Sequence, residues 1–184
     1  AKAKMRLVEI VNVDIKNNTS DTGGGGFFSS YQSEVTLTNV EISGNTANTQ
    51  GSTVNNDNFT NGGGGFYSRG SVTLIDSVIK DNVVVPGNQT PAAGIRHNNR
   101  FDGGGFWAEN KYGRVELIDT DVTGNTAQGN GGGIAVNDAE LIIRSTDSVN
   151  DKVQITGNKI TSDARHGGGI YAEGEARVTL TGVN

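Results

Sequence analysis

The feature that most constrains this chain is a tetrapeptide that returns five times, three glycines followed by Phe or Ile. It reads Gly24-Gly25-Gly26-Phe27, Gly63-Gly64-Gly65-Phe66, Gly103-Gly104-Gly105-Phe106, Gly131-Gly132-Gly133-Ile134 and Gly167-Gly168-Gly169-Ile170. The apolar residues are 39, 40, 28 and 36 positions apart. Self-similarity at such a period marks a stack of small supersecondary units that bury a core only against one another.

Two further motifs alternate with the first. One is an aliphatic residue, two spacers and Asn: Ile15 with Asn18, Ile42 with Asn45, Ile79 with Asn82, Val122 with Asn125 and Ile155 with Asn158. The other alternates apolar and polar residues, as in Val35-Thr36-Leu37, Val72-Thr73-Leu74, Val115-Glu116-Leu117 and Val178-Thr179-Leu180. Each repeat thus holds three short strand-like pieces in fixed order. The expectation is an all-β fold, a parallel β-helix of about five coils with three strands per coil.

Composition agrees. Of 184 residues, 28 are Gly, 21 Asn and 18 Thr, a bias that suits many tight turns around a thin core. Charged residues make up only 19%, too few for a charge-driven disordered chain. The net charge of −5 comes without a basic cluster, which argues against a nucleic-acid partner. With no cysteine there is neither a disulfide framework nor a thiolate metal site. No apolar run reaches the length of a membrane span, so this stretch is not expected to insert in a bilayer.

The repeats fill residues 1–184 as a single domain. Residues 7–18 align with the later second and third motifs, and 178–184 repeat the same element, so five whole turns separate Ile10 from Leu180. No polar cap is legible at either end. Repeat stacks need such caps, so these uncapped ends lead us to expect either a piece of a longer solenoid or a subunit that self-associates end to end, as in a filament. Coil lengths differ through inserts at one corner, residues 46–62 and 83–102. Both are rich in Asn, Thr and Gly, and the second holds Pro86 and Pro91.

Alternation in a strand puts i and i+2 on one face. With Phe27, Phe66, Phe106, Ile134 and Ile170 inward, Ser29, Ser68, Ala108, Val136 and Ala172 follow them. Asn18, Asn45, Asn82, Asn125 and Asn158 would stack at one corner about 4.8 Å apart. There their amides can bond up and down the column as a structural ladder.

These paired motifs resemble the polymorphic outer membrane protein repeat, whose signatures are Gly-Gly-Ala-aliphatic and Phe-x-x-Asn. The chain departs from it with Gly at the third position and an aliphatic residue in place of Phe. The resemblance covers nearly the whole chain. It implies a right-handed β-helix, as the crossover preference of parallel strands also favours. It further implies a bacterial surface passenger, extracellular and adhesive, and supplies no catalytic residues.

The residues after the core Phe or Ile are Phe28, Tyr67, Trp107, Ala135 and Tyr171. On the outward face they form an aromatic column, a candidate ligand-binding platform for glycans or other cell-surface proteins. The competing reading is that loops fold over this face and bury the rings. Arg69 and Glu109 flank the column on adjacent coils, close enough to pair.

A polysaccharide lyase or hydrolase on a pectate-lyase-like β-helix is the alternative. The best carboxylate stack is Asp76 and Asp119, candidates for a weak Ca²⁺ site and equally for turn caps. His166 and Asp102 are separated by the rung of Asn130, too far to couple, and His97 and Arg100 sit in the second insert. No nucleophile–base pair can be assigned. An outward Thr row, Thr36, Thr73 and Thr179, suggests an ice-binding lattice, but Glu116 interrupts it. The sequence is therefore read as a non-enzymatic surface or filament module, stalk and adhesin, with no cofactor assigned.

Overall fold

The computed structural model describes residues 6–49, 62–86, 101–146, 153–163 and 165–184. All its strands are parallel and lie in four sheets. The first sheet contains Arg6–Val11, Ser33–Thr38, Ser71–Ile75, Arg114–Ile118, Glu140–Arg144 and Arg177–Thr181. The second contains Asp14–Lys16, Glu41–Ser43, Val78–Lys80, Asp121–Thr123 and Ile155–Thr156. The third contains Thr19–Ser20, Thr46–Thr49, Val83–Pro86, Thr126–Ala127 and Lys159–Ile160, and the fourth Phe27–Ser29, Phe66–Ser68, Phe106–Glu109, Ile134–Asn137 and Ile170–Glu173. Because each strand pairs with its counterpart one repeat away, the chain winds as a parallel β-helix of about five coils.

Each coil has four strands where the motifs suggested three. The added strand follows the ladder Asn, so both long inserts begin as ordered structure, Thr46–Thr49 and Val83–Pro86. The rest of the inserts, 50–61 and 87–100, lies outside the described residues, as does the stretch 147–152.

The core is a set of vertical columns. Leu37, Leu74, Leu117 and Ile143 stack from the first sheet, with Val35, Val72, Val115 and Leu141 beside them. Ile42, Ile79 and Val122 face them from the second sheet, and Phe66, Phe106 and Ile134 from the fourth. Phe27, Phe66 and Phe106 stack ring on ring, with centroids 4.8 and 4.6 Å apart and planes within 9°. A fully buried aromatic or aliphatic side chain contributes about 1.5–3 kcal/mol, so the columns supply most of the folding drive. At the two ends of the stack the first-sheet strands expose Leu7, Val8, Val178 and Leu180.

The glycine run is a consequence of how thin the coil is at its third corner. Gly63 has φ +75, and a Cβ there would run into the Phe66 carbonyl. A Cβ on Gly64 would sit 2.7 Å from the backbone nitrogen of Val83. The fourth-sheet and third-sheet backbones touch here, so no side chain fits between them.

Beside that contact runs the asparagine column. Asn45 donates its backbone N–H and its side-chain amide to Asn82 Oδ1, both at 3.0 Å, and its second amide hydrogen to the Ile15 carbonyl at 2.8 Å. The pattern repeats from Asn18 to Asn45, from Asn82 to Asn125 and from Asn125 to Asn158. Asn45, Asn82 and Asn125 are fully buried, and the ladder satisfies polar groups that would otherwise be costly there.

Candidate functional site

With the interior filled, chemistry is left to the outer faces and corners. The fourth sheet turns Phe28, Tyr67, Trp107, Ala135 and Tyr171 outward in one register. Tyr67, Trp107, Ala135 and Tyr171 form a second apolar cluster outside the sheet, and the Phe28 ring lies 5.0 Å from that of Tyr67. Trp107 is 1% exposed, Tyr67 8% and Phe28 51%. The backbone one coil earlier packs on these rings: a Cβ on Gly62 would meet the Trp107 ring and one on Gly23 the Tyr67 ring. Tyr67 and Trp107 thus present no free face to a sugar, and Phe28 is the exposed member.

Beyond the rings, Tyr67 donates its hydroxyl to Glu109, and Arg69 Nε lies 3.2 Å from the same carboxylate. Arg69 and Glu109 pair as their adjacent rungs suggested. Glu109 is nearly buried and Arg69 half-exposed. Tyr171 donates to Glu173 at 3.0 Å. Glu109 thus ties Tyr67 and Arg69 to the next coil, whereas Tyr171 and Glu173 share one strand.

Asp76 and Asp119 stand in a corner column with Asn12 and Asn39. All four have φ between 47 and 57, a left-handed conformation that Asn and Asp tolerate better than other side chains. Backbone geometry therefore explains the choice of residue. Asp119 accepts the Thr146 N–H at 2.7 Å and the Thr146 hydroxyl at 2.5 Å, one on each oxygen. The Thr146 hydroxyl is also the main reason its carboxyl lies below the usual range. With both oxygens so committed, Asp119 acts as a turn cap. Among the described residues, no group of three or more His, Asp or Glu side chains could hold a metal.

His166 enters another backbone ladder. Its N–H donates to Asn130 Oδ1 at 2.9 Å, and the Asn130 N–H donates to buried Asp102 at 2.6 Å. These positions cap successive coils and do not form a proton relay. His97 and Arg100 lie outside the described residues.

Two faces carry ion networks. On the second sheet Glu41 bridges Lys16 at 2.9 Å and Lys80 at 3.0 Å, and these contacts, Lys16 first, bring its carboxyl down to about 2. On the first sheet Glu116 joins Arg114 at 2.9 Å and Arg144 at 3.1 Å. Burial works against its charge, but Arg144 and Arg114 together outweigh burial and lower its pKa. The outward Thr row runs Thr36, Thr73, Glu116, Ile142, Thr179, so two positions break it.

One exposed pair carried no periodic signal. Tyr31 and Tyr112, in turns between the fourth and first sheets two coils apart, meet edge to face at 5.9 Å. Only their turn positions and aromatic type could have pointed to them.

No curated protein and no solved structure matches the chain. Residues 119–137 match the model of the Chlamydia polymorphic membrane protein (Chlamydia_PMP) repeat. That window runs from the corner at Asp119 through Val122 and Asn125 to the Gly131–Ile134 run and its strand. It thus contains both alternating motifs once. This β-helix is therefore built on a unit similar to the repeat of Chlamydia polymorphic membrane proteins, a family of the bacterial outer membrane and surface.

Proposed function

We propose that the chain is a non-enzymatic module of a bacterial surface protein, serving as a rigid stalk that also adheres to glycans or other cell-surface proteins. The observation that carries this reading is the division of labour in each coil. Inward columns and the asparagine ladder consume the apolar interior and its buried amides, and the corner carboxylates cap turns. What remains free to vary from coil to coil is the outer surface, which suits display and contact. The repeat similarity supports the same location.

The reading is tested with the chain immobilised on beads. Beads should attach to cultured epithelial cells above the level of beads carrying an unrelated β-helix. Incubation with pectin or other acidic polysaccharides should release no reducing ends or unsaturated products. Attachment no better than the control would contradict adhesion, and product release would favour the lyase or hydrolase.

A further inference from the structure

The Tyr31–Tyr112 pair is a constructed feature of the turns between the fourth and first sheets. Tyr31 stands 50% exposed in the turn closed by Ser33, whose N–H donates to the Ser30 carbonyl at 3.1 Å. Tyr112 stands 63% exposed in a turn set by Asn110, which has φ 85 and accepts the Tyr112 N–H at 2.9 Å. Asn110 is anchored to the coil below by donating its side-chain amide to the Arg69 carbonyl at 2.9 Å. On that intervening coil the turn is the dipeptide Arg69-Gly70, and a Cβ on Gly70 would lie 2.6 Å from the Ser30 and Ser33 carbonyls. Across that short turn, rings two coils apart meet at 65° and make an apolar step open to solvent.

Beside the step lies a groove of about 370 Å³ whose lining includes Tyr112, the cations Lys111, Arg114 and Arg177 and the carboxylates Asp138, Glu140 and Glu175. That volume falls within the roughly 300–1,000 Å³ of small-ligand clefts. Its charges are not equally available. Arg114 is held by Glu116 at 2.9 Å and Glu140 at 3.1 Å. Lys111 sits 5.1 Å from the Tyr112 ring centre, and among the described residues neither it nor Arg177 has a carboxylate partner. The groove therefore joins an exposed aromatic step to two cations without an ion pair, with Asp138, which accepts the Glu175 N–H at 2.8 Å, and Glu175 also in its lining.

We propose that this groove binds an acidic saccharide, with a pyranose ring against Tyr112 and Tyr31 and its carboxylate between Lys111 and Arg177. The electron-rich ring faces attract the slightly positive C–H edges of a sugar. The two cations select a carboxylate-bearing sugar over a neutral one. The site deepens the adhesive reading above and rests on it.

The test is calorimetric titration of the whole chain with sialyllactose, a galacturonate tetramer and neutral lactose. At least one acidic sugar should bind, and lactose should bind at least several-fold more weakly. Tyr112→Ala should weaken binding about fivefold, in line with ~1 kcal/mol for an aromatic contact. Lys111→Gln and Arg177→Gln should weaken it and flatten its salt dependence. Because all three side chains are on the surface, unfolding midpoints should stay at the wild-type value. Tyr31→Ala serves as the second ring variant should Tyr112→Ala unfold. The proposal is overturned if no sugar binds, if lactose binds as well as the acidic sugars, or if both ring variants bind like wild type. Beads that adhere to cells while no sugar binds would overturn this site and leave adhesion standing. Sugar binding without cell attachment would support the site and remove the adhesive role.

Discussion

Asn82 donates both its backbone N–H and its side-chain amide to the single Oδ1 of Asn125, each at 3.0 Å, and neither residue touches solvent. Asn82 Oδ1 in turn receives the same two donors from Asn45. Replacing Asn82 by Ala leaves two buried donors of Asn45 without their acceptor and takes from the Ile42 carbonyl its side-chain donor. At about 1–3 kcal/mol for each unsatisfied group, partly offset by relaxation, Asn82→Ala should cost ~3–5 kcal/mol in urea unfolding. Asn82→Asp keeps an acceptor for Asn45 but loses its side-chain donors, and it too should destabilise strongly. A loss under about 1 kcal/mol would mean the column is not a buried ladder.

The glycine runs should tolerate alanine unequally. At Gly64 a Cβ would meet the Val83 backbone at 2.7 Å, whereas at Gly169 its nearest neighbour is Ile155 Cγ2 at 3.6 Å. Gly64→Ala should destabilise by about 1–3 kcal/mol or more, since backbone cannot move aside as a side chain can. Gly169→Ala should be close to neutral in thermal unfolding. Equal effects at the two sites would contradict the backbone contact between the third and fourth sheets.

Glu41 should give the fold a shallow acid dependence. Its pairs with Lys16 and Lys80 lower its pKa from 4.5 to about 2. The folded state then binds this proton less readily than the unfolded one. The stabilisation is full above pH 4.5 and is lost as pH falls through about 2. The group is partly exposed, so solvent screening limits the effect to ~1 kcal/mol or less. Glu41→Gln should therefore lower stability slightly at pH 7, less so in high salt, and match wild type at pH 2. A difference that grows on acidification would contradict this assignment.

Much of the fold was legible because a stacked coil repeats its chemistry. Phe66 sits beside Phe106, and Val72 beside Val115, so a period in the sequence becomes a column in space. The third sheet was not legible. Its strands run two to four residues, as in Thr126–Ala127, and the middle three bury a single described residue, Ala47, Val84 or Ala127, too little for alternation to show. The state of the aromatic column was also hidden. The Gly62 backbone packs on the Trp107 ring, and a bare backbone segment leaves no pattern to read. Tyr31 and Tyr112 meet across the two-residue turn Arg69-Gly70, a relationship between loop residues with no common period.

The central claim is that each strand lies in register on its counterpart one coil away. Thr36 pairs with Thr73 on the outer face of the first sheet, whereas Ile75 pairs with Thr38. The chain has no cysteine, so introduced thiols report without background. Neighbouring strands are about 4.8 Å apart, inside the roughly 4.4–6.8 Å that a disulfide spans, while a two-residue offset exceeds it. Under mild oxidation the Thr36→Cys/Thr73→Cys variant should form an intramolecular disulfide in most molecules, read by mass spectrometry, and Thr36→Cys/Ile75→Cys in few. Failure of the matched pair to close, or equal closure of both pairs, would contradict the stacked-coil account.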